Sequence, residues 1–333
     1  MPEKELLHFQ NGVFVQAFAA VGSKAESAGP LGPCFDYLYK DPTAGQKSWE
    51  QAESALQKKA LTLALKKGNI PPNDLDMIFA GDLINQCTVS SFGLKDFSRP
   101  YIGMYGACST MALTLLTAAQ FVAAGSCRQT ASVTSSHFCT AQRQYRYPLE
   151  YGGQRPPTAQ WTATAAGAVI LGSSPKKVQV CSALVGTVTD YGVTDQNNMG
   201  AAMAPAAANT LLRYFKLSGT IPENYDAIFT GDLGAVGSTL LYQLLQEQKI
   251  DITARHKDCG LMLFDRNRQD VHAGGSGCGC SASVLCGHIL KELEQGNLKN
   301  VLFCATGALL SPVTVAQKQS VPCIAHLVQL KAL

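Results

Sequence analysis

The chain repeats one stretch of its own sequence, and this repeat limits the possible folds more than any other feature. Residues 76–83 read DMIFAGDL and residues 226–233 read DAIFTGDL, so six of eight positions match at an offset of 150. A second pair follows in the same order. GACSTMA from Gly106 and CGCSASV from Cys278 each precede an apolar helix-like segment and then a strand-like one. Two matches in one order predict a duplicated α/β unit.

The segment before each copy of the repeat indicates a helix that ends in a turn. GNIPPNDL begins at Gly68 and GTIPENYD begins at Gly219. In the first half, Ser48 and Gln51 fit a capping box at the helix start, and Gly68 suits the helix stop. One buried face follows the 3-4 spacing of an amphipathic helix through Trp49, Ala52, Leu56, Ala60 and Leu63.

Several uninterrupted apolar runs predict strands that are covered on both faces. The helices that start near Met111 and Ser283 are too apolar for a surface position, so we expect them to lie between two sheets. Periodicity alone leaves a doubly wound sheet as the rival. We divide the chain into an N-terminal half, 1–175, and a C-terminal half, 176–333. The predicted strands are 166–172, 178–188, 261–264 and 301–305.

Composition excludes several classes of protein. The 333 residues carry a net charge of +3 with 46% hydrophobic residues, which favours a globular protein and gives no sign of a nucleic-acid partner. The 12 cysteines lie scattered in apolar segments and show neither a disulfide framework nor zinc-ligand spacing. We therefore expect reduced thiols, no metal site and no cofactor. No signal peptide is evident, and residues 111–125 are too few to span a bilayer, so no transmembrane segment is predicted.

The turn before the first apolar helix places Cys108 at a helix N-terminus. Exposed amide groups and the helix dipole favour a thiolate there and predict a lowered pKa. Gly106 and Ala107 allow a ligand to approach closely. Cys108 is then a nucleophile or part of a ligand pocket. A small buried cysteine in a tight corner explains the same pattern, and spacing alone does not separate these interpretations.

Two further segments contain candidate ligand contacts. Ser135, Ser136 and His137 close the strand after the Cys108 helix, at the end where α/β folds bind ligands. A backbone-bonded structural histidine is the alternative. Residues 143–164 mix arginines, including Arg155, with tyrosines and Trp161. This mixture suits either a flat carboxylate ligand or a subunit interface.

The layered, duplicated plan and the turn cysteine resemble the thiolase family. This resemblance implies an α-β-α-β-α layered fold, commonly dimeric, with Cys108 at the acyl-accepting position. Thiolases also carry a histidine in a GHP motif after a double glycine. Here Gly274 and Gly275 are followed by Ser276, and neither His272 nor His288 lies at the motif. The catalytic set is incomplete, so we expect no condensation chemistry.

Five longer motifs resemble the stage V sporulation protein AD family over essentially the whole chain. They are GMYGACSTM, VTSSHF, EYGGQRPPTAQWT, GGSGCGCSA and ATGALLSP. The resemblance implies a dipicolinic acid binding protein, with or without calcium, that serves uptake during sporulation and release in germination. It also implies membrane-protein partners of the same transport complex and a peripheral position at the spore inner membrane.

The resemblance leads to a predicted site in the former acyl pocket. We assign pocket roles to Cys108, Ser109, Ser135, Ser136 and His137, and carboxylate contact to Arg155. An acyl-thioester transferring or condensing enzyme that uses Cys108 is the first alternative. A scaffold with an empty pocket is the second.

Overall fold

A computed structural model describes residues 5–145 and 155–333. One large mixed sheet runs through the molecule, with strand order β10-β9-β12-β13-β8-β1-β7-β5-β3-β4, and β2 pairs with β1. A separate two-stranded sheet joins β6 and β11. The strands are β1 (Leu6–Gly22), β2 (Tyr37–Leu38), β3 (Met77–Gly81), β4 (Tyr101–Gly103), β5 (Gln129–Ser136), β6 (Trp161–Thr162), β7 (Ala165–Gly172), β8 (Val178–Leu184), β9 (Ala227–Thr230), β10 (His256–Asp258), β11 (Gly275–Ser276), β12 (Asn300–Ala308) and β13 (Cys323–Ala332).

Apart from β2, the sheet consists of two five-stranded halves with the same pairing pattern. In the first half, β4, β3 and β5 are parallel, and β7 runs antiparallel to both β5 and β1. In the second half, β10, β9 and β12 are parallel, and β13 runs antiparallel to both β12 and β8. This correspondence confirms the duplicated α/β unit. Antiparallel pairing of β1 with β8 joins the halves into one hydrogen-bonded sheet, which the sequence did not predict.

The helices form layers on and between the two halves of the sheet. α4 and α9 share a core with strands of both halves, whereas α2 and α6 each cover the outer face of one half. The predicted buried helix layer is therefore confirmed. The helices are α1 (Lys24–Ser27), α2 (Trp49–Gly68), α3 (Thr88–Leu94), α4 (Thr110–Ala123), α5 (Phe138–Tyr145), α6 (Met199–Ser218), α7 (Gly234–Glu247), α8 (Cys259–Leu263), α9 (Cys278–Val284), α10 (Leu290–Gln295) and α11 (Pro312–Ala316), and a π-helical segment (Leu285–Ile289) joins α9 to α10.

The first aspartate of each repeat copy makes equivalent hydrogen bonds in the two halves. Asp76 accepts the backbone N–H groups of Arg128 and Gln129, at 2.6 and 3.0 Å. Asp226 accepts those of Lys299 and Asn300, at 2.6 and 2.9 Å. Each carboxylate thus ties the strand of the repeat to the start of its neighbour. Charge-assisted bonds to backbone groups are among the stronger hydrogen bonds, which explains why both copies begin with aspartate.

The start of α2 is as predicted, but its end differs by one residue. The Ser48 hydroxyl accepts the Gln51 N–H at 3.3 Å. The left-handed residue that ends the helix is Asn69, with φ 51°, and not Gly68. Its counterpart in the second half is Gly219, with φ 66°. The offset of 150 residues therefore holds through the turn, and asparagine tolerates the left-handed conformation that glycine adopts freely.

One predicted strand is wrong. Residues 261–264 belong mainly to α8, where the Asp258 side chain accepts the Leu261 N–H at 3.2 Å and caps the helix. A short apolar run does not distinguish a buried strand from a buried helix, and the cap decides here. β7 ends at Gly172 and β8 begins at Val178, on either side of the proposed boundary at 175 and 176, which stays a prediction.

The helices within residues 5–145 and 155–333 are too short or too polar to cross a membrane.

Candidate functional site

The Cys108 turn is tightly built and buried. Ala107 adopts a left-handed conformation with φ 50°. The Ser109 hydroxyl donates to the Gly106 carbonyl at 2.6 Å, and the Thr110 hydroxyl donates to the Ala107 carbonyl at 2.6 Å. These local bonds fix the Cys108 side chain just before α4.

Strand β12 of the second half packs against this turn. A side chain at Gly307 in β12 would place its Cβ 2.3 Å from the Gly106 carbonyl oxygen and 3.2 Å from the Cys108 nitrogen. Real Cβ atoms essentially never come this close to backbone, so only glycine fits at this position. The end of β12 therefore lies directly against the turn, which joins the two halves of the chain at the candidate site.

Cys108 lines a cavity of about 560 Å³, a volume that includes the solvent at its mouth. Its walls come from both halves of the chain. The apolar part consists of Leu83, Ala107, Ala141, Met199, Ala308 and Leu310. The neutral polar part consists of Tyr105, Gln142, Tyr145, Gln160, Thr162, Asn197 and Ser276. Among these residues, all within the described part of the chain, there is no lysine, arginine or histidine.

Behind Cys108, a serine and an aspartate from the second half form the floor of the cavity. The Cys108 Sγ lies 3.9 Å from the Ser276 Oγ. The Ser276 hydroxyl donates to Asp232 at 3.1 Å, and the Gly277 N–H donates to the same carboxylate oxygen at 2.8 Å. The other oxygen accepts the Thr306 hydroxyl at 2.9 Å. Asp232 is the second aspartate of the second repeat copy, and three donors from the described residues hold it.

This environment reverses the expected electrostatics of Cys108. Burial raises the pKa of the Cys108 thiol well above its ordinary value of 9.0, and the neighbouring Asp232 charge raises it further. The prediction of a lowered pKa is therefore wrong, because burial and a nearby carboxylate outweigh the helix N-terminus. Burial also raises the pKa of Asp232, to about 6. At neutral pH the site holds a thiol beside a largely ionised carboxylate.

Ser276 follows the double glycine of the second half. It lies in β11, which pairs in parallel with β6 through Gly275 with Trp161 and Ser276 with Thr162. The nearby His272 is bonded to Asp270 at 2.8 Å and does not line the cavity. A serine hydroxyl that already donates to a carboxylate is a poor base for a thiol of raised pKa.

Gln160 supports the cavity floor from one side. Its Nε2 donates to the carbonyls of Asp232 and Gly275, both at 2.7 Å. Its Oε1 is buried and finds no hydrogen-bond partner among the described residues. A buried acceptor without a partner costs about 1–3 kcal/mol, so a ligand group that satisfies it would bind with a corresponding advantage.

Ser135 and Ser136 lie outside the cavity lining, in a buried network. Ser135 donates to Glu53 at 2.9 Å and accepts from the Gln57 amide at 2.9 Å. Ser136 donates to the Ala163 carbonyl at 2.7 Å. Burial and the nearby Asp82 raise the pKa of Glu53 to about 8. These serines therefore support the core beside the site, and their hydroxyls are already engaged.

His137 has the backbone-bonded structural position that the sequence left open. Its Nδ1 accepts the Cys139 N–H at 3.1 Å, so the proton is on Nε2, which donates to the Pro42 carbonyl at 2.8 Å. Its ring lies 5.4 Å from that of Trp49. Burial lowers its pKa. It is a neutral residue that does not line the cavity.

Arg155 also lies outside the cavity lining. Its Nη2 bonds the Asp270 carboxylate at 2.7 Å, and its guanidinium lies 4.9 Å from the Trp161 ring centroid. Trp161 stacks in turn on Phe138, with centroids 3.7 Å apart. The predicted arginine and aromatic cluster thus forms a stack next to the cavity wall. Arg143 pairs with Glu50, and the remaining predicted residues of this loop, Arg146, Tyr147 and Tyr151, lie outside the described residues.

Of the six predicted site residues, the structure brings only Cys108 to the cavity lining, and Ser109 anchors its turn. Sequence reasoning missed Asp232, Gln160 and Tyr105, whereas Tyr145 belongs to the predicted arginine and aromatic segment. The signal for Asp232 was present, since the repeat has an aspartate at this position in both copies, Asp82 and Asp232. Within the described residues, no cluster of histidine, cysteine, aspartate or glutamate is placed to hold a metal ion.

The family model for stage V sporulation protein AD matches residues 3–331 of this chain. The chain is 44% identical to stage V sporulation protein AD of Bacillus subtilis (strain 168) over 323 residues, which cover 97% of this chain and 95% of that protein.

Solved structures show similarity of the fold alone. Cerulenin-bound OleA of Xanthomonas campestris aligns with a TM-score of 0.60 and 14% identity, over 98% of this chain and 98% of that one. Human mitochondrial 3-ketoacyl-CoA thiolase in complex with CoA aligns at 0.60 and 12%, over 98% and 99%. The 3-oxoacyl-[acyl-carrier-protein] synthase III of Aquifex aeolicus VF5 aligns at 0.58 and 12%, over 96% and 100%. The thiolase-like architecture predicted from the sequence is confirmed.

Proposed function

The chain belongs to the stage V sporulation protein AD family, and from this premise we propose that it is a binding protein for dipicolinic acid and not a condensing enzyme. The ligand site is the cavity at Cys108. The observation that carries the proposal is the chemistry of this cavity: a protonated thiol, two tyrosines and neutral amides, without a histidine, lysine or arginine among the described lining residues.

The cavity walls suit a small flat ring with polar ends. Dipicolinate is a planar pyridine with a carboxylate on each side. Tyr105 and Tyr145 supply aromatic faces, and Gln142 and Asn197 supply amide donors. A pocket of this kind, mostly apolar with a few placed polar groups, is typical of small-molecule sites.

The charge of the site favours the calcium chelate over the free dianion. The described lining residues include no cation, and Asp232 adds negative charge at the floor. A dianion placed there would be desolvated without a counter-charge, which is costly. Calcium dipicolinate carries no net charge, and its calcium accepts oxygen ligands of the kind that the unpartnered Gln160 Oε1 offers.

The cellular role follows from family membership. We propose that the protein takes part in dipicolinate uptake during sporulation and release in germination, as a peripheral subunit docked to membrane proteins at the spore inner membrane. Membership in a sporulation protein family supports this role.

The exposed edge strand β4 supports a homodimer. Tyr101 and Ile102 are 37% and 38% exposed, and β4 is the end strand of the sheet among the described residues. Antiparallel pairing of two copies of β4 about a two-fold axis would satisfy both edges.

An acyl-transferring enzyme is the second candidate. The thiolase-like fold and the position of Cys108 favour it. The raised pKa of the thiol and the absence of a basic side chain in the described cavity lining argue against it.

Titration calorimetry with dipicolinate, with and without calcium, tests the proposal. We expect saturable binding that tightens with calcium and weakens about tenfold in Gln142→Ala and Cys108→Ala. Gln248→Ala, a change at an exposed position on the far end of α7, serves as the control. Binding lost in Arg155→Ala but kept in Gln142→Ala would move the site to the arginine stack. If the wild type does not bind, a thioester that acylates Cys108 and turns over would favour the enzyme.

A further inference from the structure

A second cavity adjoins the cavity at Cys108. It has a volume of about 620 Å³, again including open solvent, and contains Asn85, Cys87 and Gln144 among its lining residues. We call this the outer cavity and the cavity at Cys108 the inner cavity. The two have three lining residues in common, which are Tyr105, Tyr145 and Leu310. These side chains therefore form a shared wall.

Hydrogen bonds hold the two tyrosines of this wall together. The Tyr145 hydroxyl donates to the Leu83 carbonyl, a group that only accepts. The Tyr105 and Tyr145 hydroxyl oxygens lie 3.1 Å apart. Because Tyr145 has a single hydroxyl proton and gives it to Leu83, Tyr105 must donate to Tyr145. The Tyr105 hydroxyl therefore takes part in one hydrogen bond, to Tyr145, whereas the Tyr145 hydroxyl takes part in two, with Tyr105 and with Leu83.

The two rings differ in how they are supported. Tyr105 is 44% exposed and comes from the segment between β4 and the Cys108 turn. Tyr145 is the last residue of α5. They belong to different elements and are joined at their tips by the hydroxyl pair. The hydroxyl pair and the Tyr145–Leu83 bond involve no hydrogen bond within a helix or a strand, so breaking them leaves those elements intact.

We propose that the outer cavity is an entry compartment for the small planar ligand of the inner cavity, and that the Tyr105–Tyr145 pair controls passage between them. The inference rests on the proposed function only in taking the inner cavity as the ligand site. The lining of the outer cavity suits brief binding of a ligand, because it offers neutral amides at Asn85 and Gln144 and a hydroxyl at Ser311. A polar ligand would exchange water for these groups before the tyrosines part.

The chain contains a reporter cysteine in each compartment. Cys87 lines the outer cavity and Cys108 lines the inner one, and they are similarly buried, at 8% and 5% exposure. The rate of modification by a small uncharged reagent, methyl methanethiosulfonate, measures access to each sulfur. Peptide mass spectrometry reads the two rates separately in one sample. Cys304, buried within β12, reports labelling through unfolding.

The experiment compares Tyr105→Phe, Tyr145→Phe and Tyr145→Ala with the wild type. Loss of the hydroxyl bonds should speed labelling of Cys108 about threefold in Tyr105→Phe and about tenfold in Tyr145→Phe, since one bond is lost in the first variant and two in the second. Labelling of Cys108 in Tyr145→Ala should be at least as fast as in Tyr145→Phe. The rates at Cys87 and Cys304 should stay within about twofold. Tyr191→Phe, which changes a tyrosine that is 68% exposed and lines neither cavity, is the matched control.

Two results would overturn the proposal. The first is an unchanged ratio of the Cys108 and Cys87 rates in all three variants. The second is a rise confined to Tyr145→Ala, which would show that the hydroxyl pair does not hold the wall. The labelling assay contains no dipicolinate, so its result is independent of the result of the titration. A protein that fails to bind dipicolinate can still show the gated access, and the reverse is equally possible.

Discussion

The hydroxyl of Ser276 lies between the sulfur of Cys108 and the carboxylate of Asp232, 3.9 Å from the first and 3.1 Å from the second. Cys108 and Ser276 are 168 residues apart in the chain. The contact joins the Gly/Cys turn of the first half to the double-glycine turn of the second. It sets the cysteine beside a carboxylate, whose negative charge disfavours the thiolate.

The Asp232 carboxylate is predicted to suppress the reactivity of Cys108. Asp232→Asn removes the charge that raises the pKa of the thiol, so alkylation of Cys108 by iodoacetamide at pH 8 should become about three- to tenfold faster. Rates are read from the modified peptide.

Asp82→Asn is the matched control, because Asp82 occupies the same position in the first repeat copy and, together with burial, raises the pKa of Cys87 to about 11. Each variant should speed mainly its own cysteine. Equal effects of both variants on both cysteines would contradict a local charge effect.

The buried carboxyl of Glu53 is predicted to make the protein less stable as the pH rises. Its pKa is raised from 4.5 to about 8 by burial and by Asp82. Between these values the folded protein retains a proton that the unfolded chain has lost, so the free energy of unfolding falls with increasing pH. Glu53→Gln keeps the shape without the ionisation. Its free energy of unfolding should therefore exceed that of the wild type by about 1 kcal/mol or more at pH 9.

Urea denaturation at pH 5 and pH 9, under reducing conditions, measures this difference. Glu223→Gln changes an exposed carboxyl and should follow the wild type at both values. If Glu53→Gln has the same pH dependence as the wild type, Glu53 is not the group responsible.

Gly307 is predicted to tolerate no side chain. The added methyl of Gly307→Ala would lie 2.3 Å from the Gly106 carbonyl oxygen, so β12 or the Cys108 turn must shift. Overpacking of this kind costs about 1–3 kcal/mol in the free energy of unfolding. Gly287→Ala is a suitable comparison, because its nearest neighbour would lie at 3.3 Å.

Thermal or urea unfolding checks the cost, and dipicolinate titration checks the site. Gly307→Ala should also lose affinity, because the displaced turn carries Cys108 into or out of the cavity. A stable variant with unchanged binding would mean that β12 does not fix the turn.

The β4 edge is predicted to hold two copies of the chain together. Ile102→Arg should shift the protein from dimer to monomer in sedimentation or light scattering, because a buried unpaired charge is costly at an interface. Ile221→Arg, at a residue that is 55% exposed in the other half, should leave the mass unchanged. A monomeric wild-type protein would contradict the proposed homodimer.

Local pattern predicted much of this fold. The repeat at Asp76 and Asp226 revealed two equivalent halves, and the capping signal at Ser48 placed the start of α2. The apolar helix after Cys108 was correctly assigned to the interior. The wrong strand prediction also came from a local pattern. Residues 261–264 form a helix because the Asp258 side chain caps them, and a run of four apolar residues does not show that choice.

The candidate site was much less predictable than the fold. The sequence indicated the Cys108 turn and the missing histidine, and the resemblance indicated a binding role. It could not show that His137 donates to Pro42, 95 residues away, or that Arg155 pairs with Asp270. Proximity to Cys108 along a strand or loop did not mean proximity in space.

The sequence by itself determined the duplicated halves, the buried helices and the family, because periodicity and repeats are properties of neighbouring residues. Only the tertiary structure decided the chemistry of Cys108. Its pKa depends on burial and on Asp232, which reaches it through contacts between the two halves. Solvent exclusion and Coulomb interactions depend on distance in space, and the sequence records only distance along the chain.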